Sequence, residues 1–129
     1  MDARIDVGAI LGLCEAEVHT LRNAGGVVTD DVVRSLTISQ SVLRTREVMV
    51  IKHTKCGMLQ KETDIVRAVE PLTGQVPDFP LDTFDDLDEA VRASCRRARE
   101  RPTIPYRDQV RGFVYDVSTG RVRAVSEPS

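Results

Sequence analysis

Hydrophobic positions along the first half of the chain alternate between helical and extended spacing. Residues 4–13 carry apolar side chains at helical intervals, and residues 17–22 alternate like a short strand. A helix is predicted over residues 30–43, because Thr29 is a suitable N-cap and acidic residues follow it. Residues 47–52 form a nearly continuous apolar run, which is typical of a strand covered on both faces.

The second half predicts helices first and then a hairpin. Residues 63–72 favour a short helix, and residues 85–101 form the most clearly amphipathic segment, ended by a proline. Residues 110–117 alternate as a strand, and residues 121–125 return as its hairpin partner. This order predicts an α/β fold with a largely parallel β-sheet flanked by helices and a C-terminal hairpin.

Composition narrows the class of protein. The chain has 129 residues, which predicts one domain over residues 1–129. The net charge is −2, aromatic residues make up 4% and tryptophan is absent, so neither a nucleic-acid partner nor an anionic membrane surface is indicated. No signal-like segment or membrane-length apolar run is found, and we therefore expect a cytoplasmic protein.

The three cysteines are odd in number and widely separated, which indicates free thiols in a reducing compartment. Cys95 falls on the apolar face of the predicted 85–101 helix, so we expect a buried structural thiol there. Cys14 is expected to be structural or exposed. Cys56 follows the predicted 47–52 strand and is the cysteine with candidate chemistry.

Three short patterns carry that chemistry. His53-x-x-Cys56 places an imidazole and a thiol, both good zinc ligands, at the end of a strand. Asp2-x-Arg4 offers a carboxylate and a guanidinium that can form a two-pronged ion pair. Gly25-Gly26 precedes a helix N-terminus and lets the backbone approach a small ligand. Each pattern alone is also compatible with a purely structural role.

Together the patterns resemble one family. The segments Asp2-Ala3-Arg4, Arg22-Asn23-Ala24-Gly25-Gly26 and His53-Thr54-x-Cys56-Gly57 occur in the order and at the approximate spacing of β-class carbonic anhydrases. The stretch 27–47 is similar to small bacterial and actinobacterial members, and the hairpin around residues 112–120 also resembles the family. The resemblance covers nearly the whole chain.

The resemblance implies zinc-dependent hydration of carbon dioxide to bicarbonate and a proton, a lyase reaction. His53 and Cys56 match two zinc (Zn²⁺) ligands of the family, and Gly25 and Gly26 match a segment lining the substrate pocket. Asp2 and Arg4 match the catalytic aspartate–arginine pair, in which the aspartate either ligates zinc or accepts a hydrogen bond from the zinc-bound water. A homodimer or tetramer is also implied.

One departure from the family leaves three accounts open. The family's first zinc cysteine would lie immediately before Met1, after a first strand that is likewise missing from this sequence. The first account makes Met1 an internal residue of a longer enzyme, so that the chain is N-terminally truncated. The second makes the chain a non-catalytic homologue that acts in binding or assembly. The third has Asp2, His53 and Cys56 hold the zinc.

Two further alternatives concern ligands and proton transfer. The strand–Asn-Ala-Gly-Gly–helix arrangement is compatible with a small phosphate-ligand-binding α/β module, although the usual glycine fingerprints for phosphate are absent. His19 follows Glu17 by two residues in the predicted 17–22 strand, and is either a structural histidine or a proton shuttle.

Overall fold

The computed structural model describes residues 1–127. Five helical segments and three strands follow one another in this order: α1 (Val7–Leu11), the 3₁₀ turn Ala24–Gly26, α2 (Asp30–Ser41), β1 (Val48–His53), α3 (Glu62–Thr73), α4 (Leu87–Arg99), β2 (Val110–Tyr115) and β3 (Val122–Val125). No helix in this part of the chain is long and apolar enough to cross a membrane.

The three strands form one mixed sheet in the order β1-β2-β3. β1 and β2 are parallel, with Val48 opposite Val110 and His53 opposite Tyr115. β2 and β3 are antiparallel and form the predicted hairpin. The α/β class is thus confirmed, and one of the two strand pairings is parallel. β1 lies at the edge of this sheet, and its carboxyl end delivers His53 to the rim.

The core lies between the sheet and helix α4. Val91, Cys95 and Ala98 on α4 are buried against the strands, which confirms the expected buried thiol at Cys95. Gly112 on β2 permits this close approach, because a Cβ atom there would lie 2.3 Å from Cγ1 of Val91. The Asp86 side chain caps α4 by accepting a hydrogen bond from the Glu89 amide.

The strand predicted over residues 17–22 is wrong. These residues are irregular and, within residues 1–127, pair with no strand. The polar side chains of this segment make separate tertiary contacts instead of facing one side of a sheet. His19 Nδ1 lies 2.7 Å from the Ser39 hydroxyl, and Arg22 binds backbone carbonyl groups. The Ser39 contact supports the structural role for His19.

The helix boundaries differ from the predictions where capping decides them. The segment predicted over residues 4–13 is helical only from Val7 to Leu11, between the side-chain cap of Asp6 and the left-handed Gly12. The α2 helix stops at Ser41, before the predicted end at residue 43. Helix α3 continues through Pro71 to Thr73 and ends at the left-handed Gly74.

Candidate active site

Asp2 and Arg4 form a compact turn at one end of the site. The Ile5 amide donates to the Asp2 carbonyl at 3.2 Å, which brings the two side chains to the same side. Arg4 Nε and Nη2 donate to Oδ1 and Oδ2 of Asp2 at 3.0 and 2.6 Å, a two-pronged pair. These side-chain bonds, joined by one from the Arg4 amide, hold the pKa of the Asp2 carboxyl well below its usual range.

His53 faces this carboxylate from the end of β1. Its Nε2 atom lies 3.7 Å from Oδ2 of Asp2, and the ring is largely buried. Nδ1 lies 2.7 Å from the Thr54 carbonyl oxygen, an acceptor that requires Nδ1 to carry a proton. Donation by Nδ1 to the backbone leaves Nε2, which faces Asp2, as the ring nitrogen that could ligate a metal.

Cys56 follows in a loop that is fastened to the β2–β3 hairpin. The Thr54 hydroxyl accepts a hydrogen bond from the Val117 amide at 3.0 Å, and Lys55 Nζ donates to the Ser118 hydroxyl at 3.1 Å. The Met58 amide is directed at the Cys56 sulfur at 3.5 Å. The two residues before Cys56 are thus fixed to the hairpin, and the Cys56 side chain remains partly accessible.

The glycine turn packs directly against β1. Gly25 and Gly26 both adopt positive φ angles, +79° and +59°, and a Cβ atom on Gly26 would lie 2.9 Å from the Ile51 carbonyl oxygen. Asn23 closes the turn, because its amide side chain bonds both the amide and the carbonyl of Val27. Only glycine fits this left-handed, close approach without movement of the strand.

Lys52 binds the glycine turn from strand β1. The sequence analysis did not predict it as a site residue. Its ammonium donates to the carbonyls of Gly25 and Gly26 at 2.7 and 2.9 Å and lies 4.9 Å from the centre of the Phe84 ring. The side chain is only 2% exposed, and this burial lowers its pKa to about 8. A lysine inside an otherwise apolar strand was the signal available in the sequence.

The Arg22 guanidinium forms hydrogen bonds with the backbone of the turn that carries Asp2. Its Nη1 donates to the Ile5 carbonyl at 2.7 Å and its Nη2 donates to the Asp2 carbonyl at 2.5 Å. The sequence placed Arg22 in the glycine motif but assigned it no contact, because its partners lie in a different segment of the chain.

The donor atoms are those that zinc prefers, but the described set is incomplete. Imidazole nitrogen, thiolate and carboxylate are all zinc ligands, and His53 and Asp2 lie side by side. Within residues 1–127, however, no three His, Cys, Asp or Glu side chains are grouped closely enough to hold a metal ion. Asp2 is engaged by Arg4, and two ligands alone are fewer than the three of a catalytic zinc site.

A cleft of about 1200 Å³ opens beside the site, along the free edge of β1. Asp2, His53, Gly25 and Gly26 lie on its wall. Exposed apolar side chains extend along the same wall, namely Val18, Leu21, Ile38, Leu43 and Met49. These five residues are here called the apolar wall.

Known proteins are similar to this chain in sequence and in fold. A family profile described as carbonic anhydrase matches residues 1–93. β-Carbonic anhydrase 1 of Mycobacterium tuberculosis is 47% identical over 127 residues, which cover 98% of this chain and 78% of that protein. A carbon disulfide hydrolase of Acidithiobacillus thiooxidans is 31% identical over 144 residues, covering 95% of this chain and 72% of that protein.

The fold comparison agrees. The crystal structure of carbonic anhydrase from Streptococcus mutans superimposes with a TM-score of 0.93 at 40% identity, covering 98% of this chain and 77% of that one. Fold and sequence are thus both shared with this relative along nearly the whole length of the present chain. The chain therefore belongs to the β-class carbonic anhydrases.

Proposed function

We propose that the protein catalyses the reversible hydration of carbon dioxide to bicarbonate and a proton, with zinc held by His53 and Cys56. The observation that carries this proposal is the 3.7 Å approach of Asp2 Oδ2 to His53 Nε2, in a family member with 47% identity to a β-carbonic anhydrase. When bound, zinc supplies the Lewis acidity that brings a water molecule close to deprotonation at neutral pH.

Asp2 and Arg4 divide the work of orienting that water. The low pKa of Asp2 keeps its carboxylate ionised throughout the physiological range, so it accepts a hydrogen bond and cannot donate one. Arg4 holds both carboxylate oxygens and reaches the Lys55 carbonyl at 3.3 Å, which ties the pair to the loop carrying Cys56. This fork supports the acceptor role for Asp2 while it is paired with Arg4.

Gly25 and Gly26 are proposed to line the pocket for carbon dioxide. Both glycines lie on the wall of the cleft with His53, and this cleft offers an apolar approach suited to a small uncharged substrate. Lys52 keeps both carbonyl groups of the turn directed into the protein, and therefore away from the substrate.

The third zinc ligand separates the accounts of the site. In one, Asp2 leaves Arg4 and completes the set with His53 and Cys56. In another, a cysteine immediately ahead of Met1 in a longer chain completes it. A protein that binds no zinc and hydrates no carbon dioxide is the non-catalytic homologue, acting in binding or assembly.

The test measures zinc content by mass spectrometry and carbon dioxide hydration by stopped flow on the 129-residue protein. We expect His53→Ala and Cys56→Ser to lose both zinc and activity. Cys14→Ser, at an exposed cysteine elsewhere in the chain, is the matched control for Cys56→Ser and should retain both. A parent protein with stoichiometric zinc and no hydration would overturn the proposed reaction, and sulfide release from carbon disulfide in its place would identify the other activity found among the relatives.

We further propose that two copies of the chain associate through the apolar wall and that the protein acts in the cytoplasm. A second copy would cover the exposed apolar side chains and border the cleft beside Asp2 and His53. This places the site near a subunit interface. The free thiols at Cys14, Cys56 and Cys95 suit a reducing compartment.

A further inference from the structure

We propose that Arg22 is a positioning residue, which sets the distance between Asp2 and His53 by clamping the backbone of the Asp2–Ile5 turn. Only the kinetic part of this inference rests on the proposed function; the geometric part stands on the contacts of Arg22 alone. Both side-chain hydrogen bonds that Arg22 makes within residues 1–127 go to backbone carbonyls of this turn, so it acts through the placement of Asp2.

The clamp uses the fork geometry of a guanidinium group. Nη1 and Nη2 of Arg22 bind the carbonyls at the two ends of the turn, Ile5 at 2.7 Å and Asp2 at 2.5 Å. The Asp2 carbonyl also accepts the Ile5 amide, so one atom closes the turn and anchors it at once. Lysine has a single ammonium centre and no rigid fork, and it cannot reproduce both bonds in this geometry.

The turn needs such an anchor because its two charged side chains, Asp2 and Arg4, form hydrogen bonds mainly with each other. Asp2 and Arg4 are bonded together and solvent-accessible, so their pairing alone does not decide where the pair lies relative to β1. Arg4 contacts the Lys55 carbonyl at 3.3 Å, a long bond compared with those of Arg22. Met1 contributes a bond from its amine to the Asn23 carbonyl at 2.7 Å, ahead of the turn.

Arg22 is itself held in register by the residue that follows it. Asn23 bonds the amide and the carbonyl of Val27 through its side chain, at 3.0 and 2.8 Å, and Val27 is buried. The position of Arg22 is therefore coupled to the glycine turn, which Lys52 fastens to β1. Through this chain of contacts, the strand that carries His53 determines where the Asp2 carboxylate lies.

The consequence concerns the rate more than substrate affinity. A carboxylate that orients a reacting water must be placed to within a fraction of an ångström, and misplacement by 1 Å costs roughly a hundredfold in rate. We expect Arg22→Lys and Arg22→Ala to lower kcat by roughly 10- to 100-fold, with KM nearly unchanged. Added guanidinium ion should restore part of the activity of Arg22→Ala and none of that of Arg22→Lys.

A second measurement does not depend on activity. The chain has two histidines, so an imidazole nitrogen NMR spectrum contains only the rings of His19 and His53. With zinc content matched between samples, both Arg22 variants should shift the His53 resonances. Arg67→Ala, which removes an exposed arginine on α3, is the control and should change neither ring nor rate.

The outcomes are distinguishable. An inactive parent protein would overturn the proposed function, and the His53 resonances would then decide the positioning role by themselves. Parent-like kcat and unshifted His53 resonances in Arg22→Lys would overturn the positioning role. Melting temperatures show whether a variant is slow only because it is unfolded. If Arg22→Lys unfolds, guanidinium rescue of Arg22→Ala decides the positioning role. Absence of rescue in a folded but slow Arg22→Ala would also count against the clamp.

Discussion

Oδ2 of Asp2 lies 3.7 Å from Nε2 of His53, which brings the first turn of the chain to the carboxyl end of β1. Asp2 could not orient a water molecule at a metal held by His53 without this approach, because a hydrogen-bond acceptor must lie within about 3 Å of the group it orients. Hydrogen bonds from Arg4 lower the pKa of the Asp2 carboxyl, and the fold of the chain determines the position of that carboxylate next to His53.

Replacing the Asp2 carboxylate separates its two possible duties. Asp2→Asn removes a charged acceptor while preserving shape, so we expect carbon dioxide hydration to fall by roughly a hundredfold. If Asp2 only orients water, zinc content stays at the parent level; if it ligates zinc, zinc is lost as well. Asp31→Asn, on the exposed first turn of α2, is the control. Unchanged activity in Asp2→Asn would contradict both duties.

The close packing of Gly26 predicts an asymmetric pair of alanine variants. Gly12 and Gly26 both have left-handed backbones, with φ angles of +66° and +59°, so alanine costs about 1 kcal/mol at each. At Gly26 the new Cβ also meets the Ile51 carbonyl at 2.9 Å, whereas Gly12 faces open space. We therefore expect Gly26→Ala to lose a further 1–3 kcal/mol, roughly, in urea unfolding.

The same two variants should also differ in catalytic activity. Gly26→Ala should displace the pocket turn relative to His53 and reduce carbon dioxide hydration, whereas Gly12→Ala should retain it. Equal unfolding free energies for the two proteins would show that the turn adapts freely and that the contact with Ile51 is unimportant.

Burial of Lys52 predicts a rise in stability at alkaline pH. Its pKa falls from 10.5 to about 8 on folding, because burial disfavours the charged ammonium. Below about pH 8 the full penalty is present; between there and 10.5 the unfolded chain holds more protons, so stability increases with pH. The gain is on the order of 3 kcal/mol at most.

Comparison with Lys52→Met isolates this contribution. Urea unfolding of both proteins from about pH 7 to about pH 10 subtracts the groups that they share. The parent should gain stability relative to the variant as the pH rises. Parallel curves across this range would mean that the Lys52 ammonium is not penalised by its surroundings.

The apolar wall predicts the response of the assembly to a charge. Leu43 is 57% exposed on the wall, and Leu72 on α3 is 86% exposed outside the cleft. Leu43→Lys should shift the protein toward monomer in analytical ultracentrifugation, because an interface would bury its ammonium without a partner. Leu72→Lys should sediment as the parent does. An oligomer unaffected by Leu43→Lys would exclude the wall as the interface.

Local patterns determined a large part of this protein. The apolar run of β1, the amphipathic period of α4, the hairpin alternation and the caps at Thr29 and Gly74 depend on neighbouring residues, and such features can be read along the chain. The motifs that carry Asp2, Arg4, the two glycines, His53 and Cys56 likewise depend on residue type and order, and these were sufficient to indicate the family.

The tertiary structure decided what depends on distant partners. Residues 17–22 alternate as a strand would, yet they are irregular, because their side chains are used by Ser39 and by the Asp2–Ile5 turn. Leu43 falls within the helix predicted over residues 30–43, but α2 ends two residues earlier and Leu43 is exposed. The contacts of Arg22 and Lys52 are with carbonyl groups, which every residue carries and no sequence pattern marks. The path of the chain decides which carbonyl groups come within reach of these two side chains. The contacts of Arg22 with the Asp2–Ile5 turn and of Lys52 with the glycine turn could therefore be identified only from the tertiary structure.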